Sequence, residues 1–209
     1  MTFPQRKMFI PVLIAATICA GLIISFHNAS KDVIQKNKQQ YILKVTNGMF
    51  TVEYDNPVYD DYIEINNPAL SGDGSITRVY RARKGGTGMG VLYMPVVTKG
   101  YNGPVSLAIS ISRDGHIMSA RVIKQNESRG LGAEIDQNNS DWITQFYGLS
   151  LKDVPSEYWR YESEPGKFDV ISGATITSRA VTNAIRETLE HYNKNNDILY
   201  NVETERDPL

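Results

Sequence analysis

The sequence predicts an α+β protein: a single N-terminal transmembrane helix, followed by an antiparallel sheet with helices packed against it. Three observations carry this prediction. Residues 8–26, "MFIPVLIAATICAGLIISF", are nineteen consecutive positions without a charge. Between residues 76 and 124, β-branched and aromatic runs are separated by Gly-rich turn signals, the pattern of successive strands. Near the C-terminus Val181, Ala184, Ile185, Leu189 and Tyr192 recur at helical spacing along one face.

The uncharged run would cover roughly 28 Å as a helix, nearly the hydrocarbon core of a bilayer. Pro11 is expected in its first turn, where a missing amide proton costs little. A cleaved signal peptide is the alternative, but the run is longer than a usual apolar region and no small-x-small site precedes "HNASKD". A retained anchor is therefore expected. Charge does not choose its orientation: Lys31, Lys36, Lys38 and Lys44 follow the span, whereas Arg6 and Lys7 precede it on a very short tail.

Residues 28–40, "NASKDVIQKNKQQ", read as a partly helical polar stalk, and the following stretch to about Ser75 as turns and short strands. "ITRVYRA" and "GVLYMPVVTK" are two strands separated by a flexible "RKGGTGMG" connection. "GYNGP" makes a turn. "VSLAISIS" then alternates apolar and small residues with the period of a half-buried strand, and "HIMSARVIK" returns antiparallel to it across a two-residue Asp114-Gly115 turn. Ser140 is placed to cap a short helix in which Trp142 and Phe146 share a face, with Gly148 as its stop. The C-terminal helix is expected from Thr177 or Ser178. The organisation predicted is a basic tail over residues 1–7, the anchor over 8–26, stalk and lead-in over 27–75, the main domain over 76–195 and a loose polar tail over 196–209.

With 22 basic against 23 acidic side chains the formal charge is -1, so the overall balance points to no nucleic-acid partner. Cys19 is the single cysteine and lies inside the apolar run, and His27, His116 and His191 lack ligand-like spacing. No metal site is expected. A Ser nucleophile elbow, a Walker loop and a dinucleotide fingerprint are absent as well.

Two motifs remain. "ESRGLG", residues 127–132, follows a strand; it is either a surface loop with left-handed glycines or a backbone kept small so that a flat ligand can approach. "SGATITS", residues 172–178, precedes the amphipathic helix. Helix capping explains much of its hydroxyl content. An amide-rich turn at a helix start also suits a phosphate group, and a Thr hydroxyl there can coordinate the phosphate or be esterified to it.

In combination, the membrane helix, "GYNGPVSLAISISRDGHI", "ESRGLG", "DWITQF" and "DVISGATITSRAV" resemble the FMN-binding domain family over about residues 5 to 195. Within it they look most like the G subunits of Rnf-type ion-translocating electron-transport complexes. The resemblance implies FMN held covalently by a phosphoester to Thr175, installed by a flavin transferase. Ser172, Gly173 and Ala174 would shape the turn, and Thr177 and Ser178 would hydrogen-bond the phosphate. Glu127, Gly130, Leu131 and Gly132 match the family loop Glu-Thr-Pro-Gly-Leu-Gly and are expected near the isoalloxazine ring, while Ser128 and Arg129 replace its Thr and Pro. The implied role is an electron-transfer subunit in the cytoplasmic membrane. Its flavin domain would lie on the extracytoplasmic side, with the other subunits of a complex coupling ferredoxin and NAD oxidoreduction to ion movement as its partners. Some relatives instead keep a redox sensor reduced. Two alternatives stand beside it: the related C subunit of sodium-pumping NADH:quinone reductases, and a flavin-free membrane-anchored assembly module.

Overall fold

The computed structural model describes residues 5–159, 167–202 and 204. The chain divides into two compact units, Met1–Lys44 and Val45–Leu209. The first is almost entirely helix α1, Gln5–Thr46. It is long and apolar enough to cross a membrane, and Val12, Leu13, Leu22, Ile23 and Phe26 are all exposed on it. Pro11 lies inside the helix rather than in its first turn, because Gln5 already begins the helix ahead of the apolar run. The stalk residues continue α1 without a break. No glycine or proline interrupts residues 22–47, and Gly48 then ends the helix with φ 68°.

In the second unit, β1 (Tyr62–Ile65), β2 (Thr77–Lys84), β3 (Thr87–Lys99), β4 (Pro104–Ser112) and β5 (Ile117–Lys124) form one antiparallel sheet in chain order. Alternation sorts the side chains. Val79, Val91, Tyr93, Leu107, Ile109, Ile111 and Ala120 enter one core with Val181, Ile185, Leu189 and Tyr192 of helix α2, Thr175–Asn201. On the opposite face, the Ser110 hydroxyl donates to Met49 O (2.6 Å) and Arg121 to Asn47 O (2.7 Å), tying down the segment after α1.

Four local expectations change. The "RKGGTGMG" connection contracts to a turn at Gly85 and Gly86, φ 56° and 80°, with Lys84 opposite Thr87. Its other glycines lie within β3 and are small for tertiary reasons: a Cβ on Gly88 would come within 2.1 Å of the Tyr200 ring, and one on Gly90 within 2.7 Å of Met118. The β4–β5 turn has three residues, because Ser112 N donates to His116 O (2.9 Å) and only Gly115 takes a positive φ. Residues Trp142–Phe146 form a 3₁₀ turn, with the Ser140 hydroxyl accepting from Trp142 N at 3.2 Å. The expected loose tail is helical as far as Asn201, with Leu199 and Tyr200 buried.

Candidate functional site

Two short turns of the same design meet at the start of α2. In the first, Leu131 N donates to Ser128 O (3.2 Å) across Gly130, φ 73°. In the second, Ala174 N donates to Ile171 O (2.9 Å) across Gly173, φ 75°. Glycine takes the left-handed third position of such a turn without a steric penalty. The turns touch: a Cβ on Gly173 would stand 2.8 Å from Leu131 Cδ2, so Leu131 rests on the bare backbone of "SGAT".

Glu127 binds three segments together. Oε1 accepts from Asn102 N (2.9 Å) and Oε2 from the Thr177 hydroxyl (3.0 Å). Thr177 Oγ1 in turn accepts from Tyr101 N at 3.1 Å. The carboxylate is packed from both sides, since a Cβ on Gly132 would lie 2.3 Å from Oε2 and one on Gly100 2.5 Å from Oε1. Gly132 is therefore small to admit Glu127 itself. This supplies a reason for the "ESRGLG" glycine other than the approach of a flat ligand.

A second clamp holds the approach to the "SGAT" turn. Asp169 N donates to Gln145 Oε1 (2.8 Å), and Trp142 Nε1 donates to Asp169 O (2.8 Å). Both backbone groups of one residue are thus taken by the 3₁₀ turn "WITQF". Behind it, the Phe168 ring packs on Trp159 and Phe146, with centroids 4.5 and 5.0 Å away. The Ser178 hydroxyl accepts from Ile171 N at 3.2 Å, which closes the turn onto the helix.

These elements enclose a cleft of about 460 Å³, within the range of small-molecule sites. Gly173 and Ala174 of the "SGAT" turn and Thr175 and Thr177 of α2 line it on one side, and Glu127, Leu131 and Gly132 of the facing loop on the other. Of the other expected residues, Ser172, Gly130 and Ser178 do not line it; Ser178 is buried against the turn. Tyr101, Asn102, Ser128 and Ile176 do line it and were not anticipated. The exposed Tyr101 sits in "GYNGP", where an aromatic flanked by turn glycines was the available signal.

Thr175 is the first residue of α2, and Ala174 before it gives no side-chain cap. The helix therefore starts earlier than at Thr177. Amides of a first helical turn have no intrahelical acceptor and carry the positive end of the helix dipole. Ile176 is 57% exposed, Thr175 is exposed, and among the described residues nothing hydrogen-bonds the Thr175 hydroxyl. The donor set suits a phosphate group. By contrast, the Thr177 hydroxyl is already committed to Glu127 and Tyr101.

The profile of the FMN-binding domain matches residues 100–190, a span that contains both turns, the Glu127 bridge and the Asp169 clamp. The G subunit of an ion-translocating oxidoreductase complex from Pseudoalteromonas atlantica is 30% identical over 191 residues, covering 91% of this chain and 89% of that protein. Its counterpart from Vibrio vulnificus is 31% identical over 197 residues, covering 94% and 93%. Another, from Vibrio cholerae serotype O1, is 29% identical over 197 residues, covering 94% of each. Since these matches run nearly the whole length of both partners, the chain belongs to the family of G subunits of ion-translocating oxidoreductase complexes, and its C-terminal part is an FMN-binding domain.

Proposed function

We propose that the chain is the electron-transfer subunit of a membrane-bound Rnf-type complex, carrying FMN on Thr175 through a phosphoester bond. One observation carries the attachment site: the exposed Thr175 hydroxyl, without a hydrogen-bond partner among the described residues, stands at an uncapped helix start inside the cleft. The flavin supplies the redox chemistry when bound, taking up and passing on one or two electrons.

The chain's own residues hold and shelter it. Thr175 Oγ forms the ester bond to phosphorus, with net loss of water relative to free FMN. The first-turn amides of α2, which have no side-chain cap, would hold the phosphate by hydrogen bonds. Leu131, 44% exposed, offers an apolar surface to the ring. Glu127, Thr177 and Ser178 keep the loops and the turn in place through the bonds described above. In this reading no side chain acts as general acid, general base or nucleophile toward a substrate. A flavin transferase installs the cofactor, and the other subunits of the complex deliver and remove electrons. Ferredoxin and NAD are the terminal couples, linked to ion translocation, and the flavin domain lies on the extracytoplasmic side of the cytoplasmic membrane. The names of the relatives support membership of an ion-translocating oxidoreductase complex; the transferase, the ferredoxin and NAD couples and the side of the membrane rest on the resemblance of the motifs.

The attachment is tested by co-expressing the chain with a flavin transferase and illuminating a denaturing gel. A fluorescent band is expected for the native sequence and none for Thr175→Ala. Fluorescence that persists in Thr175→Ala would move the site.

A further inference from the structure

We propose that Glu127 holds the reduction potential of the bound flavin low, as the single charged side chain that lines the cleft among the described residues. The inference rests on the reading that FMN occupies the cleft. The remaining side chains that line it, from Tyr101 and Asn102 through Leu131 to Ile176, carry no formal charge. Among the described residues Glu127 has no ion pair. Arg129 follows it by two positions but is exposed and does not line the cleft.

The charge is also fixed in position. Both carboxylate oxygens accept hydrogen bonds, from Asn102 N and from the Thr177 hydroxyl, the bonding pattern of an ionised carboxylate. Gly100 and Gly132 leave it just enough room, so it cannot swing out to solvent without giving up both bonds. The α2 N-terminus, which lines the same cleft, offers a positive field, but the anionic phosphodiester would occupy it. An electron entering the isoalloxazine ring ahead of a proton adds negative charge beside an uncompensated carboxylate. Within a partly buried cleft that repulsion is screened less than in water. Reduction is therefore disfavoured relative to the same flavin beside a neutral residue, and no bond of the protein is made or broken.

The test uses the full-length chain in detergent, flavinylated by a co-expressed transferase and titrated spectroelectrochemically with dye mediators. Glu127→Gln keeps the shape and removes the charge, and its midpoint potential is expected to shift positive. Asn102→Lys leaves the main-chain bond to Glu127 in place and adds a cation at the cleft, so a positive shift is again expected, even if Glu127→Gln fails to fold. Glu53→Gln removes an exposed charge that pairs with Lys84 beside the β2–β3 turn and is expected to leave the potential unchanged. An unmoved or more negative potential in Glu127→Gln, or in Asn102→Lys where the first variant does not fold, overturns the proposal. Intact mass is read first: a native chain without the FMN increment overturns the flavin reading itself, and the tuning role with it.

Discussion

The two ends of α2 are treated in opposite ways. At the C-terminal end the protein satisfies the helix carbonyls itself. Arg81, fully buried, donates from Nη1 to Leu199 O (3.1 Å) and Val202 O (2.7 Å), and Arg83 donates to Tyr200 O (2.9 Å). Asp61 holds both arginines, accepting from each Nε at 2.7 Å. At the N-terminal end the amides lack a side-chain cap, Thr175 and Ile176 are exposed, and a cleft opens in front of them. Every helix presents unsatisfied groups at both ends. Where the chain fills them with its own charges it gains stability, and where it leaves them open it retains a place for an anion.

The contrast predicts that substitutions at the open end change chemistry and those at the closed end change stability. Thr175→Ala should abolish the covalent flavin completely, read by mass, while an exposed side chain at this position costs little stability. Arg81→Ala should leave Asp61 and two carbonyls without its donors and cost about 3–5 kcal/mol in denaturant unfolding, with flavin attachment retained wherever the protein is folded. Asp61 gives this clamp a pH dependence. Burial raises its carboxyl pKa, but the hydrogen bonds and charges of Arg83 and Arg81 outweigh burial, so the group lies below its ordinary value. The stabilisation it contributes is therefore complete above the ordinary carboxylate range, near about pH 4, and is lost as the pH falls through the lowered value. Asp61→Asn should reduce the acid-side slope of a plot of melting temperature against pH, other carboxylates such as Asp114 and Glu190 also lying below their ordinary values.

Gly173→Ala acts on the boundary between the two behaviours. A left-handed φ costs a side chain roughly 1–2 kcal/mol, and the new Cβ meets Leu131 Cδ2 at 2.8 Å. Lower stability together with slower flavin loading is expected. The smallest effect is Trp142→Phe, which keeps an aromatic ring and removes the hydrogen bond to Asp169 O, worth about 1 kcal/mol. Hydrogen exchange should show faster opening of residues 169–174 than of the sheet.

Regions whose reasons are local were legible in the sequence. The β4 and β5 strands follow from period-2 alternation, and the "SGAT" turn from its glycine and its position before an amphipathic helix. Features whose reasons are distant were not. Gly88 and Gly90 looked like loop glycines because the Tyr200 ring and Met118 that require them lie far along the chain. The last helical turns looked polar and loose because Arg81 and Arg83, more than a hundred residues earlier, complete them. At the site, the resemblance singled out Thr175 and Glu127. The bridge from Asn102 through Glu127 to Thr177 joins three segments and became visible only in the fold.

The most direct test is the intact mass of the full-length chain extracted from membranes of cells that express a flavin transferase, followed by fragmentation of the labelled peptide. The predicted result is an added mass of one FMN less water, localised to Thr175. A chain at its unmodified mass, or an increment localised to another residue, would contradict it.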